Sequence, residues 1–253
     1  MATIGVWKLK LVQLNAWWGG KIDGRLADFL KEEDADVLCL QEASSYDKAT
    51  ETGMLLPVEK IKQIAGFKHI AFAPMHRMNF MSGKITFGNA ILSKVPLSEE
   101  HVIYTNLQYK DDFDFEKDDF NVRNLLHCQI KVDREIVHIL THHGHHIPHH
   151  KNGNKETMRQ MQEISDYIST LNGPIILTGD FNLAPRSKSI GIIEKKLTNL
   201  STLNKLKTTR NILTNKSEVC DYIFVNGAVK VSKFVASDAV VSDHMALIME
   251  FDI

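Results

Sequence analysis

This chain lacks most of the features that mark secreted, membrane-spanning or DNA-coating proteins. Three cysteines occur in 253 residues, Cys39, Cys128 and Cys220, odd in number and far apart. That excludes a disulfide framework, and without a CxxC pair it excludes structural zinc. Cys39 and Cys128 sit in apolar or strand-like contexts, where buried reduced thiols are expected. No apolar run approaches the ~18–20 residues needed to cross a bilayer. The opening residues, Met1 to Lys8, have no basic segment followed by a long apolar one, so no secretory leader is read there. An excess of one charge is lacking too, with 30 Lys and Arg against 31 Asp and Glu for a formal net charge of −1. Non-specific DNA binders carry a basic excess, because phosphate neutralisation drives that binding. The balance therefore argues against a bulk-DNA binder while leaving room for a local basic rim. Together these absences point to a reduced, cytoplasmic, monomeric enzyme with no membrane partner.

What is there is ordinary globular material, 43% hydrophobic and 24% charged, long enough for a large core. No Pro/Gly/Ser-rich linker and no internal repeat divides it, so residues 1–253 are expected to form a single catalytic domain. Strands and helices alternate, and the end is strand-rich. Leu9–Leu14, Asp36–Leu40, Gly88–Lys94, Leu125–Val132, Glu135–Thr141 and Ile175–Thr178 read as strands. Asp221–Val225, Val229–Val231 and Met245–Phe251 close the series. Helices are expected over Asp23–Glu33, Val58–Ile64, Lys155–Leu171 and Ser187–Leu197. Strands apolar on both faces must be covered on both sides. With few helices to do so, two packed sheets flanked by helices fit better than one doubly wound sheet.

Chemistry concentrates where apolar strands give way to polar residues. Pro174-Ile175-Ile176-Leu177 runs into Gly179-Asp180-Phe181-Asn182. Leu14-Asn15, Leu40-Gln41-Glu42 and Ser242-Asp243-His244 repeat the pattern, each placing a carboxylate, amide or imidazole at the boundary. One such Asp-x-Asn is commonly a turn or a helix cap, but four such boundaries are not explained by capping. In order, these segments with Gly88-Asn89-Ala90-Ile91-Leu92-Ser93-Lys94, Arg159-x-x-Gln162 and Cys220-Asp221-Tyr222-Ile223-Phe224 resemble the endonuclease/exonuclease/phosphatase superfamily, with its deoxyribonuclease-I-like fold. The resemblance spans Val12 to His244. It implies an α/β four-layered sandwich of two packed mixed β-sheets flanked by helices, and Mg²⁺- or Mn²⁺-dependent hydrolysis of phosphoesters.

A phosphodiester anion repels a hydroxide nucleophile, so the site needs a cation and a base. Glu42 is the candidate anchor for a hard divalent ion, with Asn15 and Asp243 completing or orienting the metal site. Asp180 is expected to orient and deprotonate water, and Asn182 to donate its amide to a phosphate oxygen. His244 is expected to donate to the phosphate when protonated, with Asp221 accepting from its other nitrogen and raising its pKa. Thr141-His142 matches the family's Thr-His strand end, which makes His142 a phosphate ligand or leaving-group acid. His143 is the alternative, since a one-residue slip exchanges the two. The remaining histidines through His150 read as a polar rim loop or as a transition-metal site. Asn89 either faces the site or starts a strand. Arg159 and Gln162 support the family rather than the site.

Three further segments bear on substrate choice. The acidic run Asp111 to Asp119 reads as a solvated loop. Lys195, Lys196, Lys205, Lys207, Arg210 and Lys216 either steer a phosphate polyanion or serve as solubilising charge. Trp17-Trp18 stack on a base, press on a lipid or fill the core. The function this supports is a phosphodiesterase or nuclease acting on nucleic acid or a nucleotide-like phosphoester. The alternatives are a phosphatase or phospholipase-C-like hydrolase of a small or lipid phosphoester, a non-catalytic binding member of the fold, and a histidine-rich metal-binding protein.

Overall fold

In the computed structural model, which describes residues 8–21, 24–46, 55–80 and 83–253, the strands form two six-stranded sheets. The first half of the chain contributes β1 (Leu9–Asn15), α1 (Trp17–Gly20), α2 (Arg25–Glu33), β2 (Val37–Tyr46), α3 (Val58–Ile64), β3 (His69–Phe80) and β4 (Gly83–Ser93). Next come β5 (Leu97–Asn106), β6 (Arg123–Val132), β7 (Glu135–His143), α4 (Lys155–Ile168), β8 (Ile175–Asp180), α5 (Lys188–Glu194), β9 (Thr198–Asn199) and α6 (Leu200–Leu203). The chain closes with β10 (Asp221–Val225), β11 (Lys230–Ala236) and β12 (Leu247–Asp252). One sheet has the order β11-β12-β1-β2-β4-β3 and the other β5-β6-β7-β8-β10-β9. Each is mixed: β1–β2 and β7–β8 are parallel pairs among antiparallel neighbours.

Side-chain alternation builds the layers. Along β1, Leu9 and Leu11 join the core between the sheets, while Val12 and Leu14 join Leu26, Phe29 and Leu30 of α2 and Val58 and Ile61 of α3. Along β8, Ile176 faces the inter-sheet core, while Ile175 and Leu177 meet Met161 and Ile164 of α4 and Ile190 and Ile193 of α5. Three apolar clusters therefore separate four layers, helix–sheet–sheet–helix, as the resemblance implied. Cys39 and Cys128 are free thiols buried in the middle cluster, where burial pushes both up to about 12.

The clearest predicted helix starts at Lys155 as expected, capped by Asn154, whose side chain accepts from Thr157 N–H at 2.9 Å while the Asn154 N–H donates to Thr157 Oγ1 at 2.8 Å. It stops at Ile168 rather than Leu171. α2 begins at Arg25, and Asp23, the first residue of the predicted helix, lies outside the described residues. β3 and β5, unassigned from sequence, are edge strands, β3 mostly half-buried and β5 with several exposed positions, so their apolar alternation is weak. Among the described residues, no helix is long and apolar enough to cross a membrane.

Candidate active site

The inward-facing positions turn from apolar to polar at one end of the sandwich. β1 continues Leu9, Leu11 into Gln13 and Asn15; β7 continues Val137, Ile139 into Thr141 and His143; β8 continues Ile176 into Thr178 and Asp180. Asp221 opens β10 directly opposite Asp180. Glu42 needs a special device. Leu38 and Leu40 face the α2–α3 layer, and a regular strand would send Glu42 the same way. The β2–β4 register shifts between Leu40 and Ala43, and Glu42 adopts φ 50°. This bulge turns its carboxylate inward, and Ala43 rejoins the outer cluster.

At this end, one Asn15 amide bridges two acids, donating to Glu42 Oε1 and to Asp180 Oδ2, both at 3.1 Å. The Asn15 oxygen accepts from Trp17 N–H at 3.0 Å. Asn15 therefore orients the carboxylates, with one lone pair of its oxygen committed to the Trp17 N–H. His244 Nδ1 donates to Asp221 Oδ2 at 2.9 Å, and its Nε2 lies 3.6 Å from Asp180 Oδ2. Arg210, 5% exposed, lies with Nη2 4.0 Å from Asp180 Oδ2 and Nη1 3.3 Å from Asp243 Oδ2, and packs Nη1 against His244 Nε2. Among the described residues its Nε has no hydrogen-bond partner. His143 Nε2 lies 3.8 Å from Asp180 and 4.0 Å from Glu42.

Burial and charge set the protonation states. Burial opposes ionisation of Asp180, but the fields of His244, Arg210, His143 and Lys151 outweigh it and hold the carboxyl far below the usual range. Burial likewise opposes the charge on His244, and Asp221 and Asp180 overcome it to raise the ring above its ordinary value. His143 goes the other way: burial, reinforced by Arg123, keeps it neutral. Glu42 is raised, first by burial and then by Asp180 and Asp243. Among the described residues, the neutral His143 is the one basic side chain within 4.0 Å of it.

Beneath the cleft a buried amide network fixes these groups. Gln13 donates to Gln41 at 2.7 Å, Gln41 to Thr141 at 2.8 Å, and Thr209 Oγ1 to Asp221 at 2.6 Å. Asp180, Asp221 and His244 bring one ligand-capable atom each within 4.8 Å. Asp221 and the His244 Nδ1 face are spent on each other, so this trio reads as a held imidazole beside a carboxylate. Glu42 and Asp243 are the acids with oxygen to offer a hard ion.

Two expectations meet a different geometry. His142 does not join this group: its position on β7 faces the α4–α5 layer. There its ring meets Phe181 edge-on at 5.5 Å, and Nδ1 donates to the Asn124 carbonyl at 2.9 Å. The alternation Val137, Ile139, Thr141, His143 places His143 in the cleft instead. Asn182 lines the cleft, but its Nδ2 donates to the Gly144 carbonyl at 3.2 Å, and its oxygen accepts from Lys151 Nζ at 2.7 Å. Turning the amide over would set an NH₂ against an ammonium, so Lys151 fixes this orientation. Arg210 and Lys151 carry no site motif in the sequence. Only a basic run was visible around Arg210, and a β-bridge to His244 brings it in.

The other segments find their places. His146 lines the cleft, and His149 and His150 are exposed; among the described residues these rings form no ligand group. Asn89 donates to Asn124 Oδ1 at 2.8 Å between the sheets. Arg159 pairs with Glu156 and Glu163 on α4. The acidic run is neutralised locally: Asp111 faces Arg77, Asp112 Lys84, Asp114 Lys117 and Asp118 Lys110. Of the basic run, Arg210 and Lys216 line the cleft, which encloses about 390 Å³. α1 is a left-handed turn, with φ 46°, 63°, 80° and 81° at Trp17, Trp18, Gly19 and Gly20. For the two tryptophans that conformation costs about 1–2 kcal/mol each.

The sequence matches the model of the endonuclease/exonuclease/phosphatase family over residues 12–244. The chain belongs to that family. Its members are phosphoester hydrolases, and both the first and last matched residues sit at the polar end or on the strands that lead to it. No curated protein is significantly similar to it in sequence. Solved structures are similar in fold. An endonuclease/exonuclease/phosphatase from Beutenbergia cavernae DSM 12333 has 16% identity and a TM-score of 0.74, covering 97% of this chain and 72% of that one. The human Nocturnin catalytic domain with bound sulfate has 17% identity and a TM-score of 0.68, covering 97% and 94%. ANGEL2, a 2′,3′-cyclic phosphatase, has 14% identity and a TM-score of 0.70, covering 98% and 96%.

Proposed function

We propose that this protein is a divalent-metal-dependent phosphoester hydrolase acting on a phosphodiester of nucleic acid or of a nucleotide-like molecule. The observation that carries the reading is one cleft holding an ionised Asp180, a His244 braced by Asp221 and raised by it, the guanidinium of Arg210, and Glu42, whose basic neighbour within 4.0 Å is the neutral His143. Solved relatives in fold agree with such chemistry: Nocturnin was captured with a sulfate, and ANGEL2 is a cyclic phosphatase.

A half-buried carboxylate whose basic neighbour is a neutral imidazole, beside a second acid, fits a hard oxygen-seeking ion such as Mg²⁺ or Mn²⁺. Glu42 and Asp243 would hold it, and it would neutralise charge on the phosphate. The remaining roles belong to side chains. Asp180 stays ionised and accepts a hydrogen bond from water, aiming its lone pair at phosphorus. A phosphate oxygen beside the paired Arg210 and His244 would take hydrogen bonds from both and so stabilise the charge that builds as the water oxygen bonds to phosphorus. The ester P–O bond then breaks, and the proton lost by the attacking water passes by way of solvent to the leaving oxygen, so that the water's OH ends on phosphorus and its other hydrogen on the released alcohol. His143, neutral and within 4.0 Å of both Asp180 and Glu42, is placed to donate to an oxygen on the reacting phosphate. Asn182 positions Lys151, which adds positive field at Asp180.

The test is hydrolysis of supercoiled plasmid and of a short dinucleotide with Mg²⁺ or Mn²⁺, with and without chelator, by wild type and Asp180→Asn. Metal-dependent cleavage lost in the variant supports the reading. No cleavage of either substrate by a folded protein, or equal cleavage by the variant, sinks it. Cleavage of the dinucleotide alone assigns a small phosphoester substrate.

A further inference from the structure

Phosphoester hydrolysis requires none of the rings on the wall of this cleft. Trp18 stacks on Phe115 with ring centroids 5.3 Å apart and planes 16° from parallel, and Phe87 closes the back edge-on at 5.0 Å. Trp17 lines the same cleft, and Lys21 Nζ sits 4.9 Å from the centres of both tryptophan rings. Phe115 reaches in from the loop between β5 and β6 and remains 45% exposed. Trp17 and Trp18 are half-buried and Phe115 is exposed, so part of this parallel aromatic surface stays in water beside a charged centre.

The wall is also held against a backbone preference. Trp17 and Trp18 both adopt left-handed φ, a conformation that persists only where surrounding structure enforces it and that clusters at ligand sites. The enforcing bond is Trp17 N–H to Asn15 Oδ1 at 3.0 Å, and the same Asn15 side chain donates to Glu42 and Asp180. One amide thus fixes the distance between the rings and the reacting carboxylates.

We infer that this wall is a nucleobase subsite, and that the substrate presents one flat heteroaromatic base to Trp17, Trp18 and Phe115 while its phosphate meets Asp180, Arg210 and His244. The inference rests on the phosphoester reading and narrows it. A cleft of about 390 Å³ lies at the small end of ligand pockets, about 300–1,000 Å³, and takes a single nucleotide unit rather than a duplex. Parallel rings extend a stack with any base, so affinity comes with little base preference.

Binding separates this claim from hydrolysis. Calorimetric titration of the full chain with adenosine monophosphate, ribose 5-phosphate and hexyl phosphate, in Ca²⁺, compares the same phosphate with a base, without one and with an alkyl chain. Adenosine monophosphate is expected to bind about 5- to 150-fold tighter than ribose 5-phosphate. That preference is expected to vanish in Trp17→Gly and to shrink in Phe115→Leu. Glycine is chosen because it accepts the left-handed backbone at residue 17 without penalty, and Phe115→Leu tests the wall without touching the turn. Equal affinities in wild type, tighter hexyl phosphate, no binding of any probe, or a preference unchanged in both variants overturns the inference. A base preference in a protein that hydrolyses nothing keeps the subsite and removes the hydrolase; hydrolysis without the preference does the reverse.

Discussion

His142 and His143 are adjacent in sequence and opposed in space, and substitutions read them apart. His142→Ala removes a ring packed on Phe181 together with a buried hydrogen bond, and is expected to cost about 2–4 kcal/mol of stability in a urea titration. His143→Ala opens space only into the cleft and is expected to lower kcat about 10²- to 10³-fold with a nearly unchanged urea midpoint. The opposite assignment of the two phenotypes would overturn the placement of these rings. Asp221 acts through His244. Asp221→Asn leaves the imidazole without its anionic partner, so kcat is expected to fall by about 10²-fold or more and the alkaline limb of the rate profile to move to lower pH. A drop in kcat with an unmoved limb would assign Asp221 to packing alone.

At the scale of elements, strand spacing decides what may sit beside the site. Gly179 has φ 150°, and a Cβ there would collide with the His142 carbonyl oxygen, so β7 and β8 reach their parallel pairing only over a glycine. Gly179→Ala is expected to lose more than about 3 kcal/mol, measured as a shift of the urea midpoint; a shift under 1 kcal/mol would refute the close approach. The same elements show what can be read without coordinates. The strands carrying Asn15, Asp180 and Asp221 are short and apolar and give way to polar residues at their ends, so the sequence alone places all three at strand ends, where the structure brings them together. The local likeness to Thr-His points to His142, with His143 one residue away, and in the structure it is His143 that lines the cleft. Glu42 is legible as the acid where an apolar strand turns polar and from the family motif, although strict alternation sends it outward. Arg210 depended on a β-bridge 34 residues along the chain, and the Asn182 amide on a lysine 31 residues away. Such long-range polar pairing leaves no periodic trace.

For the whole molecule, three buried histidines tie stability to pH. Burial pushes His76, His127 and His142 each down to about 4, with neighbouring Arg123 adding to the effect at His76 and His142, and His138 and His101 at His127. An unfolded histidine takes up a proton near pH 6.5, so between about pH 6.5 and 4 the unfolded state binds more protons than the folded one. Stability is therefore expected to fall as pH drops through that window, by up to ~1.4 kcal/mol per pH unit for each ring. Urea midpoints at pH 7.5 and 5 measure this, and equal midpoints would contradict neutral burial. The bulge at Glu42 carries a different lesson. Its backbone is in the left-handed region, its carboxylate is desolvated beside two other acids, and neither helps the sheet. The two tryptophans of the left-handed turn stand in the same position. A library of this protein screened for heat resistance alone would accumulate glycine at Glu42 and Trp17, gaining hardiness at each round while discarding its chemistry. Breeding this scaffold for a harsher setting therefore calls for selecting on turnover first.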